Sequence, residues 1–493
     1  MPVVLPFRGV RYDPARVPIH QVVAPPYDVI SPAERAQLHQ RHPANVVRLI
    51  LGEERPQDNE QENRYRRAAL FWRSWREQGL LRTEITPTYY VYRQQFPYRG
   101  RQWTRLGFLG RLHLEPLDGG MVRAHEQTRS TPKEELYRLL VATAANFSPV
   151  FALFHDTAGR VREQLERVTQ STPIYDFTDD AQVRQTLWST PPPIVPQLYQ
   201  ALWAEPIVIA DGHHRYESRL RYAAWRQAQQ TAGGVDAFID QQLPRAGFWY
   251  SLTYFVASDD SGLLILPTHR LVRPQAGLAV RGQGWLETVI QQLPGSAFEV
   301  QRLLPAGGQP STPPATGEGR RQWFTQRVED VLLWLEQGGE VGGQAAISSN
   351  RRWTLPRPHF AVVDGKGEAA LFSLNDGQRM AEAAPGFSQA WRQLDVAVLH
   401  RLVLDPLLEE GGPAAGAELE YTQAAERVAA ALADGEAEIA FLLPFPRPDQ
   451  VEEVAAAGEK MPAKSTFFHP KLLSGLVMDD LEIPVTAVPC GGE

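Results

Sequence analysis

Cysteine is almost absent from this 493-residue chain, with Cys490 the single example. One thiol cannot form an internal disulfide, a multi-thiolate metal site or a dithiol redox pair. Charge of one sign is not in excess either: 50 Lys and Arg stand against 57 Asp and Glu, a formal net charge of -7. That balance supplies no global field for nucleic acid or an anionic membrane, so neither is expected as a partner. Long apolar runs are missing, and a stretch such as Ile439 to Leu443 falls far short of a membrane span. The opening MPVVLPFRGVRYDP carries Arg and Pro without an apolar h-region, which predicts a cytoplasmic protein with no signal peptide. No GxGxxG, GxSxG or cysteine nucleophile is found, so dinucleotide oxidoreductase, serine hydrolase and thiol mechanisms are not expected.

What remains is an ordinary globular composition, 43% hydrophobic and 22% charged, on a chain long enough for two or three domains. Arg- and Gln-rich segments with many Trp and Tyr fill the first half, and Ala/Gly-rich helices dominate the last quarter. The stretch Pro305 to Arg320, rich in Gly, Pro, Ser and Thr, reads as an insertion or linker, and Gly338 to Gln344 closes a helix over 321–337. The expected organisation is an N-terminal α+β domain over 1–300, the Gly/Pro-rich insertion and helix over 301–350, and a C-terminal α/β portion over 351–493.

Local signals give the elements. Val22-Val23-Ala24 before Pro25-Pro26 predicts a strand, and Ser31-Pro32-Ala33-Glu34 is a capping box opening a helix. A further helix is expected over 62–78. Thr88 to Phe96 and Arg105 to Leu114 predict a hairpin closed by Tyr98-Arg99-Gly100. Thr131-Pro132-Lys133-Glu134 repeats the capping pattern, Val150 to Phe154 is a strand, and Pro206 to Ala210 is a buried strand followed by a helix over 217–229. A helix over 449–459 precedes a strand at Phe467-Phe468. Strands, helices and hairpins so mixed imply an α+β class with a mixed sheet.

The strand end at Asp211-Gly212-His213-His214-Arg215-Tyr216 gathers the most chemistry. Amides and dipole at a helix start favour an anion, Gly212 permits close approach, Arg215 can fork onto a phosphate, and two imidazoles can donate to it. Asp211 can hold Mg²⁺ or take a proton from a substrate hydroxyl. Read singly, these residues are an N-cap, a turn glycine and surface cations; together after an apolar strand they mark a site. Two other strings are weaker. In Arg123-Ala124-His125-Glu126-Gln127-Thr128, His125 and Glu126 can serve as general base or metal ligands, with Lys133 near a phosphate, or the string is a solvated loop. It is not an HExxH zinc helix, because Arg129 stands where the second His belongs. Lys464-Ser465-Thr466 echoes the end of a Walker A loop without its glycines, and is a phosphate clamp or a plain turn. His269 is read as a structural histidine.

With these residues assembled, the sequence resembles the family catalogued as domain of unknown function 1015. The resemblance is carried by APPYDVIS (Ala24 to Ser31), RAHEQT (Arg123 to Thr128), NFSPVF (Asn146 to Phe151), IADGHHRY (Ile209 to Tyr216), LPTHRLV (Leu266 to Val272), LDVAVLH (Leu394 to His400) and MPAKSTFFHPK (Met461 to Lys471). The ADGHHRY string is also similar to the phosphate-contacting motif of the superfamily of ParB, sulfiredoxin and the archaeal free serine kinase. That resemblance implies a ParB/sulfiredoxin-like mixed sheet core. It also implies Asp211 as acid/base residue, His214 with Arg215 as phosphate grip, and Glu126 as a candidate second carboxylate. His213 stands where sulfiredoxin needs cysteine, so that activity is not implied.

The resulting expectation is a nucleotide-dependent phosphotransferase acting on a small hydroxylated metabolite, free L-serine first, with Mg²⁺ and ATP or ADP. Asp211, Glu126 and His213 are the catalytic candidates. Gly212, His214, Arg215, Lys464, Ser465 and Thr466 are the phosphate-binding ones, and Tyr27, Asp28, His125, Thr128 and Tyr216 the substrate contacts. The alternatives are a nucleotide-binding switch or slow NTPase acting through a partner, and a metal-dependent hydrolase.

Overall fold

Arg99 and Gly100, at φ of 47° and 69°, supply the positive-φ pair that a tight hairpin needs. They close β1 (Tyr90–Tyr98) onto β2 (Arg101–His113), as the alternation predicts. In the computed structural model this hairpin is the middle of a large sheet. Residues 3–117, 120–128, 130–201, 206–230, 238–240, 243–273, 284–293, 297–305, 312–337 and 357–485 are described by the structure. Cys490, the break at Gly338 to Gln344 and part of the Pro305–Arg320 stretch lie outside them.

The remaining strands of this sheet are β3 (Val122–Ala124), β4 (Val150–Phe154), β5 (Tyr175–Thr178), β6 (Arg184–Ser189), β7 (Ile207–Asp211) and β8 (Tyr250–Ala257). Their order is β3-β7-β4-β8-β2-β1-β6-β5, with the short strand Val4–Leu5 also on β2. β7 pairs with β3, and β8 with β4, in parallel; the other described pairings are antiparallel. The sheet is therefore mixed and the class α+β. Every residue of β8 is buried, the mark of a strand covered on both faces. Where β8 crosses β2, a Cβ on Gly107 would stand 2.3 Å from the Phe255 carbonyl, so only glycine fits.

Helices accompany this sheet, and the one over His213–Gln230 packs on β4 and β8. α1 (Pro32–Arg41) starts with the expected capping box, Ser31 Oγ accepting from the Glu34 amide. α2 (Arg64–Glu77) is capped by Asn63 and buries Ala68, Trp72 and Trp75. α3 (Ser130–Thr143) packs against α2 and against α4 (His213–Gln230). Three expectations shift. Thr131 lies inside the first turn of α3 instead of capping it, because the helix already runs at Ser130. α4 begins at His213, before the expected Glu217, since Gly212 ends the strand and the polar residues after it are already helical. Val22–Ala24 is not a strand: Ile19–Val22 is a helical turn and Ala24 makes one isolated bridge to Ser474. Pro25 and Pro26 have no N–H with which to extend a ladder.

The chain divides into two compact units, 1–264 with 468–493, and 265–467. The expected boundary at 300 thus falls inside unit 2, and the chain after Phe467 belongs to unit 1. Asp479 explains that return: it bridges Asn146 in a short antiparallel pair and meets Arg111 of β2.

Unit 2 has its own sheet: β9 (His269–Arg273), β10 (Phe298–Leu303), β11 (His359–Asp364), β12 (Ala369–Leu374), β13 (Glu418–Thr422) and β14 (Ile439–Leu442). The order is β10-β12-β11-β14-β9-β13, antiparallel at each described pairing. α5 (Glu318–Gln337) and α6 (Ala425–Ala433) pack together, and Phe324, Val328 and Val428 join the core formed with Ala361 and Leu371.

Candidate functional site

β7 delivers Asp211 to the end of the sheet, Gly212 turns the chain at φ 91°, and α4 starts at once. Glycine is needed twice here. The positive φ disfavours any side chain, and a Cβ would lie 2.8 Å from Arg215 Nε. The tight turn lets Arg215 reach back one helical turn, its Nη2 donating to Asp211 Oδ2 at 2.5 Å. Its Nη1 is anchored on the Pro149 carbonyl. The other carboxylate oxygen, Oδ1, accepts from Lys471 Nζ at 2.6 Å. Asp211 is therefore clasped between two cations at a helix start, where amides and dipole favour an anion.

Burial pushes the Asp211 carboxyl up, but Lys471 and Arg215 more than offset it and hold the group well below the ordinary carboxylate range. The clasp is not sealed, with Asp211 20% exposed, Arg215 9% and Lys471 14%. Tyr27, from the turn Tyr27–Val29, feels both charges of the clasp, although burial is the larger cause of its raised hydroxyl pKa. Asp28 beside it is exposed.

The histidines brace this turn. His125 Nδ1 donates to the Ile209 carbonyl at 2.8 Å, and the His125 amide donates to His213 Nε2 at 3.4 Å. The two rings meet edge to face at 4.7 Å and are buried. His213 then presents Nδ1 to Glu126 Oε2 at 3.8 Å, beside a carboxylate that is 39% exposed. His125 and His213 thus brace the strand-to-helix turn, and Glu126 is the most exposed of the three. His214, half-buried, follows in the first turn of α4.

Thr128 Oγ1 and Lys133 Nζ both donate to Glu217 Oε2 at 2.8 Å. Tyr216, expected among the substrate contacts, is fully buried in the core of unit 1, its hydroxyl donating to the Glu115 carbonyl at 2.9 Å and accepting from the Glu115 amide at 3.1 Å. Lys464, Ser465 and Thr466 belong to unit 2. There Lys464 takes a positive φ of 59°, its carbonyl accepts from Arg270, and the Ser465 hydroxyl donates to the Pro462 carbonyl. His269 in the same unit is buried, its Nδ1 accepting the Leu443 amide, which is the structural role expected.

The lysine on Asp211 is instead Lys471, further along the same MPAKSTFFHPK string. Glu217 and Arg219 were also missed. Each lies one turn beyond a residue already singled out, His213 and Arg215, which is the helical signal that finds them. No group of three or more His, Cys, Asp or Glu suited to a metal occurs among the described residues. Each Asp211 oxygen already meets a cation, so Mg²⁺ does not fit there in this arrangement. No described helix is long and apolar enough to cross a membrane.

A mixed-sheet α+β protein with a doubly clasped aspartate at a strand-to-helix turn is the class that fold and site define. The chain belongs to the DUF1015 family of proteins of unknown function, whose model matches residues 4–397. No curated protein matches it. Among solved structures, it is similar to a free serine kinase variant in complex with ADP, at 13% identity and a TM-score of 0.30, over 75% of this chain and 96% of that one. A conserved hypothetical protein from Pyrococcus furiosus aligns at 13% identity and a TM-score of 0.27, over 71% of this chain and 90% of that one. SbnI with C-terminal truncation, from Staphylococcus aureus, aligns at 12% identity and 0.27, over 77% and 91%. These are distant likenesses, and the reading of function rests on the site.

Proposed function

We propose that this protein is a nucleotide-dependent phosphotransferase acting on a small hydroxylated metabolite, with L-serine one of the acceptors to test. The observation that carries the reading is the clasp of Asp211 by Lys471 and Arg215 at the start of α4. Phosphoryl transfer needs positioned cations and a helix start more than covalent chemistry. An incoming phosphate is a second anion for Lys471 and Arg215, whose bonds to Asp211 loosen as it binds. Asp211, so released, orients the acceptor hydroxyl, and Glu126, positioned by His213, accepts its proton. Gly212 and His214 shape the phosphate pocket, with Tyr27 over its edge and Thr128 behind it through Glu217. Mg²⁺ would accompany ATP or ADP on the phosphates, and no step is routed through it.

The test is direct. Purified full-length protein with Mg²⁺, ATP or ADP and a panel of hydroxylated acceptors that includes L-serine and glycerate, followed by phosphorus NMR, is expected to form a phosphorylated acceptor. A panel of nucleotides and hydroxylated acceptors with no turnover overturns the reading. One observation favours a second reading, a nucleotide-binding switch: Asp211 held ionised between two cations is a weak base. Nucleotide-dependent thermal stabilisation lost in Arg215→Ala, with no product from any acceptor, would select it. The metal-dependent hydrolase has no ligand set among the described residues to argue from.

A further inference from the structure

Arg219 lies one turn beyond Arg215 on α4 and is 1% exposed. Its Nη2 donates to the carbonyls of Phe248 and Tyr250, while Nε and Nη1 have no hydrogen-bond partner. It makes no ion pair among the described residues. The nearest opposite charge acting on it, Asp479, is held by Arg111 at 2.7 Å. Burial pulls the Arg219 guanidinium down to about 10, so it remains charged at neutral pH. A buried cation with idle donors is costly unless an anion meets it.

Arg219 also lines a cavity. The space, a small cavity of about 40 Å³, is bounded on its polar side by Tyr27, Asn146, Ser148, Arg215, Arg219 and Ser251. Leucines of α3 with Phe147 and Val150 form the apolar wall, and no Asp or Glu lines it. Two guanidiniums and no carboxylate select an anion, the apolar wall suits a carbon skeleton, and the lining offers an ammonium no acidic partner. Arg215 and Arg219 are about 6 Å apart along the helix axis, one turn. With both arginines in the lining, a short molecule with a carboxylate at one end and a hydroxyl at the other has a donor for each.

We propose that this cavity binds a small hydroxy carboxylate without a cationic group, its carboxylate on Arg219 and its hydroxyl toward Arg215. This assignment rests on the phosphotransferase reading only for the fate of the hydroxyl; the carboxylate site stands on Arg219 and the cavity. It places the acceptor among hydroxy acids and ranks L-serine below them.

The experiment is ligand binding by thermal shift and calorimetry on the full chain, with racemic glycerate, L-serine, glycerol, orthophosphate and ADP as separate probes. Glycerate is expected to bind at least about tenfold more tightly than L-serine or glycerol. Arg219→Gln is expected to weaken glycerate at least about tenfold while the ADP response is retained. Should Arg219→Gln fail to fold, Ser251→Val narrows the cavity with Arg219 intact and must weaken glycerate likewise. Equal binding of glycerol or L-serine, binding of orthophosphate without glycerate, or glycerate binding indifferent to these variants overturns the proposal. Glycerate binding without any ADP response would sink the nucleotide reading and leave this one standing; an ADP response without glycerate binding does the reverse.

Discussion

Two aspartates of unit 1 are each held by arginine, and they sit in opposite surroundings. Asp479 is fully buried, takes Arg111 Nε and Nη2 at 2.9 and 2.7 Å on Oδ1, and receives Asn146 Nδ2 on Oδ2. Arg111 spends its other donors on the carbonyls of Asp480 and Ile483. Every partner there is a fixed part of the fold, and the pair ties the returning C-terminal segment to β2. Asp211 has two cations, Lys471 and Arg215, but lies at a strand end, partly open to solvent, and under the proposed function these cations exchange it for another anion. The same ion-pair chemistry is architecture when backbone groups complete it, and is proposed as a binding site when one side is left to solvent.

The largest expected effect comes from breaking the closed pair. Arg111→Ala leaves Asp479 buried and uncompensated, and should cost about 3–5 kcal/mol. Urea unfolding would read it as a lowered midpoint at unchanged slope. A cost under about 1 kcal/mol would remove the distinction between the two clasps.

Asp211→Asn is the matching change in the open clasp. Turnover should fall about 10²–10⁴-fold, the range for losing a positioned polar group at the reacting centre. Stability should fall less than in Arg111→Ala. ADP should bind more tightly, because Lys471 and Arg215 lose a competing anion; weaker ADP binding would detach the clasp from the phosphate site.

Tyr216→Phe tests a substrate-contact candidate whose side chain is buried in the core of unit 1. Losing the hydroxyl that brackets the Glu115 backbone should cost about 1–2 kcal/mol. The ADP response should be unchanged, and a weakened one would return Tyr216 to the ligand.

These contrasts also show what was legible in the sequence. The hairpin at Tyr98–Gly100, the Ser31 capping box and the strand into Asp211 are local, written in turn residues, caps and apolar runs, and the structure has them as read. The helix start at His213 was missed by one turn, because polarity there signals chemistry and not a loop. Lys471, Asp479 and unit 1's closing segment were hidden for another reason. Their partners lie hundreds of positions away, and nothing in MPAKSTFFHPK distinguishes Lys471 from Lys464. Buried Arg219 was invisible as well, since a helix rich in Arg reads as a solvated face until packing shows which arginine turns inward.

The smallest effect is confined to acid and sharpens the comparison from the side of the proton. Burial raises the Asp211 carboxyl and its two cations lower it further, so the folded group sits well below its ordinary value of 3.8. A depressed folded pKa means that the unfolded chain binds more protons between the two values, so stability rises with pH there. The contribution of the clasp is therefore complete above about pH 4 and is lost as pH falls through the folded value. The stability difference between the wild type and Asp211→Asn should be flat from neutral pH to about 4, then shrink on further acidification. Urea titrations at stepped pH measure it. A difference that instead shrinks as pH rises above 5 would mean that Asp211 is protonated in the fold, and that Lys471 and Arg215 do not hold it as a carboxylate.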